Sequence, residues 1–265
     1  MKTNPSFPLY PILFAIIFAQ GCASHGPAYL GNAGAYMAKP TYEGKTAGAL
    51  YFSGSVNKGH VYYEGEKNSS FELASHVSFM WKHFYLSGGL FGYGGSYKTK
   101  AGSTPATLPK SSYGFNGFGM RLELGGRIPL NEKTDLLLGV SEAFFGQSGA
   151  LEEASGETFE DLFTDVFTLG TDGVTGGLNA EIRFSPAAKR SLGFRYSYES
   201  VTGNISDPPV GYLYLSDIHR LSIHATIDRV TAFGQLGFSN TNQKVYNIGL
   251  SVAIPFWQKT RERNR

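Results

Sequence analysis

The stretch VYNIGLSVAIPFW, residues 245–257, alternates apolar with small or polar positions almost without interruption. Tyr246, Ile248, Leu250, Val252, Ile254 and Phe256 share one parity; Asn247, Gly249, Ser251, Ala253 and Pro255 share the other. Side chains alternate across a β-strand, so such a segment has one apolar face and one face of small and polar groups. The pattern recurs in about ten segments, at 47–56, 71–81, 84–96, 113–128, 134–146, 173–184, 190–201, 218–227, 230–239 and 244–256. Most have the roughly 9–11 residues that a tilted strand needs to cross a bilayer. What the apolar face touches, a soluble core or lipid, decides the fold.

The connections discriminate between the two. Segments two and three are joined only by Lys82 and His83, four and five by PLNEK, six and seven by SPAAK, and eight and nine by Asp228 and Arg229. The intervening connections are long: NKGHVYYEGEKNSS, YKTKAGSTPATLPKSS, a run of about 26 residues after Gly146, and TGNISDPPVGYLYLSD. NTNQ, before the last segment, is the exception. Alternating short turns and long loops along a meander mark a membrane barrel, with turns inside and loops outside. A soluble sandwich has no reason to sort its loops this way. An even strand number also returns both ends of the barrel to the short-turn side.

The faces agree. The apolar parity carries Phe71, Leu73, Val77, Phe79 and Trp81 on segment two, Val174, Leu178, Ala180, Ile182 and Phe184 on segment six, and Leu192, Phe194, Tyr196 and Tyr198 on segment seven. The opposite parity carries Glu72, His76, Arg121, Glu123, Arg127, Glu181, Arg183, Arg195, Glu199, Arg220 and His224. That set would ruin a soluble core, whereas a membrane barrel puts polar groups inside and apolar groups out. Trp81, Phe84, Phe184, Phe256 and Trp257 fall near the short-turn ends, where an aromatic girdle belongs. Two residues resist the pattern. Glu142 shares parity with Leu136, Leu138 and Val140, so it faces lipid unless a bulge intervenes or the strand has left the membrane. Pro255 interrupts the last strand, which implies that its missing N–H is not needed there.

On these residues the chain resembles small bacterial outer-membrane β-barrels. The likeness spans about residues 46–257 and implies an antiparallel up-and-down barrel of about ten strands in the outer membrane, among its lipids. In that class the last strand usually ends on an aromatic residue that the assembly machinery reads. Phe256 and Trp257 occupy that place, and the basic tail QKTRERNR follows, residues 258–265.

The N-terminus fits export. Residues 1–21 run from Lys2 through the apolar stretch Leu9 to Phe18 to the small residues Ala19 and Gly21. This is the build of a signal peptide, too short to span a membrane as a helix. AQGC, ending at Cys22, resembles a bacterial lipobox, although Gln20 stands where a small residue is commoner. The resemblance implies that Cys22, the chain's one cysteine, is the acylated first residue of the mature lipoprotein. A lipidated barrel is also similar to outer-membrane proteins of the Bacteroidota. The alternative is an ordinary signal cut nearby, with Cys22 a bystander. Residues 22–45 are small and polar with scattered Gly and Pro, without a sustained period, and read as a lipid-anchored tether.

Function is less legible. A net charge of +2 gives no argument for nucleic acid. One cysteine excludes an intrachain disulfide and a Cys-rich metal site. The GxG patterns, such as FGYGG, are strand glycines, and neither a phosphate loop nor metal-ligand spacing stands out, so no cofactor is expected. Five Arg against four Glu on the interior parity are nearly balanced, which favours a lumen plugged by its own charges over a conduit. The expected role is structural or that of an adaptor, in an accessory subunit of a larger outer-membrane complex; a narrow channel for small solutes is the alternative.

An enzyme reading has one hook. DIH, residues 217–219, is similar to the Asp-x-His pair of omptin proteases, ten-stranded barrels with a rim active site. That family also needs an aspartate pair across the cleft; the facing connections 57–70 and 97–112 contain no Asp, and by parity Asp217 and His219 lean toward lipid. Ser222 and His224 share the interior face, where a histidine among Arg and Glu reads as a hydrogen-bonding filler.

The third long connection is acidic, with Glu152, Glu153, Glu157, Glu160, Asp161, Asp165 and Asp172 and without Lys or Arg. Within it Phe159, Leu162, Phe163, Val166 and Phe167 follow a helical period, with Thr158 placed as N-cap. A short helix in the third extracellular loop is expected, its apolar face either packed on the rim or presented to a partner protein.

Overall fold

In a computed structural model, the described residues are 34–60, 67–98, 112–148, 173–203, 216–239 and 244–258. They form ten strands: β1 (Ala47–His60), β2 (Lys67–Met80), β3 (Phe84–Lys98), β4 (Ser112–Pro129), β5 (Thr134–Ser148), β6 (Gly173–Ala187), β7 (Arg190–Gly203), β8 (Ser216–Ile227), β9 (Val230–Ser239) and β10 (Lys244–Gln258). Each strand pairs antiparallel with its sequence neighbours, and β1 pairs with β10 from Ala47↔Gln258 to His60↔Lys244, closing the barrel. Closure leaves no free sheet edge, which is what allows a sheet to sit in hydrocarbon. The fold is the transmembrane up-and-down barrel that the alternation implies.

The hairpins run further on the long-connection side than the hydrophobic pattern alone suggests. The β1–β2 ladder reaches His60↔Lys67, and β3–β4 reaches Lys98↔Ser112. Backbone pairing continues above the apolar band because each ladder bond is satisfied whatever the side chain. At the other end the turns are tight, with Lys189 (φ 58°) and Asp228 (φ 55°) in the left-handed region. The two turns touch: the Asp228 N–H donates to the Lys189 carbonyl at 2.8 Å. The last strand explains its proline. Ladder pairing of β10 with β9 ends at Val252↔Val230, and the β1 register shifts between Gly48 and Ala49, opposite Pro255.

The polarity is inverted relative to a soluble protein. Phe71, Leu73, Leu178, Ile182, Phe194, Ile248, Leu250 and Ile254 are all more than half exposed on the outside. At the short-turn end Trp81 stacks on Phe84 at 4.4 Å between ring centroids, Phe79 lies 5.4 Å from Trp81, and Phe256 meets Phe79 edge-on at 5.6 Å. This is a continuous aromatic patch where a membrane–water boundary would fall. Glu142 lies on that exterior, opposite Leu122 and Gly176, with no register shift in β4–β5 or β5–β6 to turn it inward.

Candidate functional site: the barrel interior

The interior parity of each strand supplies the lumen, and the eleven residues named from the sequence all project from it. Ten are buried, nine of them in four groupings. Arg121 pairs with Glu72. Arg195 Nη1 lies 2.8 Å from Glu123 Oε2, and the Tyr85 hydroxyl donates to Glu123 Oε1 at 2.9 Å. Arg183 clamps Glu181 with two donors, Nε at 3.0 Å and Nη2 at 2.7 Å, and His224 Nε2 is 3.0 Å from the same oxygen. Arg220 Nε is 3.0 Å from Glu199 Oε2. His76 bonds elsewhere, as described below. Arg127, the eleventh, sits at the short-turn mouth, where its Nη2 is 2.6 Å from Asp135 and its Nη1 donates to the Lys82 carbonyl.

Residues 34–45 belong to the segment expected to act as a tether. Their path runs through the barrel: Ala35 to Lys39 are buried, and the chain descends from the middle of the lumen to the mouth before entering β1. Strands on every side hold this strap. Gln235 accepts from the Tyr36 N–H at 3.0 Å and donates to the Gly34 carbonyl at 3.3 Å. Arg121 donates to the Ala35 carbonyl at 3.2 Å, His76 to that of Ala38 at 2.9 Å, and Arg183 to that of Pro40 at 3.2 Å. Aromatic stacking adds to this, with Tyr36 on the His224 ring at 4.5 Å and Tyr51 on His76 at 4.8 Å. At the mouth Arg127 lies over Tyr42, and the Glu43 carboxylate accepts the Lys189 N–H at 2.8 Å.

Lys39 is the centre of the arrangement. Its Nζ lies 3.0 Å from Glu123 and 3.3 Å from Glu181, joining the Arg195 and Arg183 groupings into one network. Six cations (Lys39 and Arg121, 127, 183, 195 and 220) thus meet five carboxylates (Glu72, 123, 181 and 199, and Asp135) among the described interior residues. Sequence reasoning missed Lys39 and Asp135. Asp135 was discoverable, since it shares parity with Leu137 and faces Arg127 two strand positions off; Lys39 gave no signal, because its segment has no period.

Above the network, toward the long connections, the lumen is aromatic rather than charged. Phe91, Tyr93, Tyr97, Tyr113, Phe115, Ala143, Phe145, Ile218 and Val245 form one buried cluster. Between Gly34, Arg121, Glu123 and Arg195 lies a void of about 20 Å³, enough for little more than a water. A wider recess of about 310 Å³ opens at the mouth between the strap, β1 and the β8–β9 turn.

The enzyme candidates are not brought together. Asp217 and His219 point outward; His219 Nδ1 is hydrogen-bonded to the Tyr196 hydroxyl at 2.7 Å and its ring stacks on Phe238 at 5.4 Å. Ser222 accepts from Gln235 at 3.1 Å while His224 is engaged by Glu181. Cys22, the acidic connection with Phe159, Leu162, Phe163, Val166 and Phe167, and the basic tail beyond Gln258 lie outside the described residues.

No protein-family model and no curated protein matches the chain. Among solved structures it is similar to the β domain of the Bordetella autotransporter BrkA, at 10% identity and a TM-score of 0.48, covering 78% of this chain and 100% of that one. It is similar to the transport unit of the Escherichia coli autotransporter AIDA-I at 8% identity and a TM-score of 0.47, covering 86% and 95%. An outer-membrane channel from Pseudomonas putida F1 aligns at 10% identity and a TM-score of 0.40, covering 84% and 98%.

Proposed function

We propose that the protein is a closed outer-membrane barrel with a structural or adaptor role, anchored additionally by acyl chains on Cys22, and neither an enzyme nor an open pore. One observation carries the reading: the strap Ala35–Lys39 lies buried in the lumen with the Lys39 ammonium between two carboxylates. An ion crossing the barrel would have to displace this strap and break buried pairs, and breaking a buried pair costs roughly 3–5 kcal/mol. The outward placement of Asp217 and His219 and the engagement of His224 support a non-enzymatic role. An accessory subunit needs a stable wall, and the closed ten-stranded sheet supports that part of the reading.

Planar-bilayer recording tests the reading. The reconstituted protein should be nearly silent at moderate voltage. Large, stable conductance steps would instead support the narrow-channel alternative. Native purification from outer membranes should recover a stoichiometric partner protein; a barrel that purifies alone under gentle extraction would remove the adaptor role.

A further inference from the structure

Four lysines far apart in sequence, Lys58, Lys67, Lys98 and Lys244, meet at the long-connection end of one part of the wall. Their strands β10, β1, β2 and β3 are neighbours in the closed sheet. Lys67 and Lys98 are direct cross-strand partners. Position 60 pairs with Lys244 on one side and with Lys67 on the other, so Lys244, Lys67 and Lys98 stand in one row. Lys58 lies one step below, opposite Tyr246 and Ser69, and so diagonal to both Lys244 and Lys67. All four are exposed on the exterior parity, and among the described residues none takes part in an ion pair. The row ends on both sides, at Ser112, the register partner of Lys98 on β4, and at Phe238, the partner of Lys244 on β9.

Neighbouring strands are about 4.8 Å apart, and like charges directly opposite destabilise a sheet. Lys67 against Lys98 is such a pair. An anion between them removes the repulsion. Below the row on the same parity lie Val56, Phe71, Leu73, Tyr246, Ile248 and Leu250, all exposed. Cations at the water boundary over a bare apolar wall match the two parts of an anionic lipid: headgroup above, acyl chains below.

We propose that this face binds a phosphate-bearing lipid of the leaflet on the long-connection side. Its phosphates lie at the pairs Lys67/Lys98 and Lys58/Lys244, and its chains lie along Phe71, Leu73 and Ile248. Two lysine pairs suit a headgroup with two phosphates. The assignment rests on the outer-membrane reading only for which leaflet supplies the lipid.

The test is native mass spectrometry of the full-length protein in neutral detergent, titrated with lipid A, a diphosphorylated glycolipid. The comparison is the quadruple variant Lys58→Gln, Lys67→Gln, Lys98→Gln, Lys244→Gln, which touches no interior contact. Wild type should retain lipid A at least tenfold more tightly than the variant, and should lose a similar factor when the lipid is dephosphorylated. Phe71→Ser with Ile248→Ser should also weaken retention. Equal retention by wild type and the quadruple variant would overturn the proposal, as would indifference to the phosphates. Full displacement by inorganic phosphate at equal concentration would show a free-anion site and overturn the lipid assignment. Heat-modifiable migration is recorded in parallel. A barrel that migrates as folded yet ignores lipid A defeats this proposal alone, whereas absence of a heat-modifiable form defeats the outer-membrane reading.

Discussion

The Lys39 ammonium lies 3.0 Å from Glu123 Oε1 with both side chains almost wholly shut away from solvent, and the same ammonium reaches Glu181. One residue of an irregular segment thereby ties β4 to β6 across the lumen. Glu123 and Glu181 each keep an arginine, Arg195 and Arg183, so the network survives the loss of Lys39 in part.

Lys39→Met should therefore destabilise the barrel by about 3 kcal/mol, the lower end of the cost of breaking a buried pair. The check is the urea midpoint of refolded protein, read by heat-modifiable migration. An unchanged midpoint would mean that the strap is not seated in solution.

Removing the strap tests closure separately from stability. A chain lacking Ala35–Pro40 should still form the barrel, because every strand pairing from Ala47 onward remains. It should conduct in planar bilayers where the full chain is silent. Silence of the deletion would show that the aromatic cluster of Phe91, Tyr93, Tyr97, Tyr113 and Phe115 closes the lumen without help.

Gly193 faces the lumen directly beneath the His224 ring, so close that a Cβ there would overlap Nε2. His224 cannot simply swing away, since Tyr36 stacks on it and Glu181 holds it. Gly193→Ala should cost about 1–3 kcal/mol, the usual range for overpacking. In a His224→Ala background the same replacement should cost little relative to His224→Ala alone; a loss that persists there would place the cause elsewhere.

What was legible in the sequence follows from which contacts are periodic. Ile248 and Leu250 on one parity and Asn247 and Ser251 on the other announce a wall with two different sides, and the short turns at Lys82–His83 and Asp228–Arg229 announce which end is which. The lumen charges followed from the same rule. It is blind where both parities are apolar: Phe91 and Phe145 face inward although Leu90 and Phe144 beside them face out. It is equally blind to the strap, whose fit depends on Arg121, Arg183, His76 and Gln235 from four different strands. The lysine row escaped for a related reason. Residues 58, 67, 98 and 244 become neighbours only once register is fixed.

Acylation at Cys22 is expected to appear directly in the mass of the mature N-terminus. The acyl chains would hold the chain to the membrane a dozen residues before Gly34, where the described strap begins. Cys22→Ala should leave the folded barrel intact, since no strand is touched. A mature terminus that is unmodified, beginning at Ala23 or later, would remove the anchor from the proposal.

Glu142 gives the last prediction, because its two possible placements have opposite consequences. The unbroken registers of β4–β5 and β5–β6 hold it on the exterior between Leu122 and Gly176, with Val140 below and Phe144 above on the same face. A charged side chain on the lipid face costs free energy that grows with depth, to about 2–4 kcal/mol for Arg or Lys at the midplane and less for Glu. Glu142→Leu should therefore raise the unfolding free energy in lipid by about 1 kcal/mol on that scale, seen as a raised midpoint. Were a bulge to turn Glu142 into the lumen, the same replacement would strip a carboxylate from a matched set of charges and lower the midpoint. A raised midpoint accompanied by loss of a co-purifying protein would mark Glu142 as a contact with a membrane-embedded partner rather than with lipid.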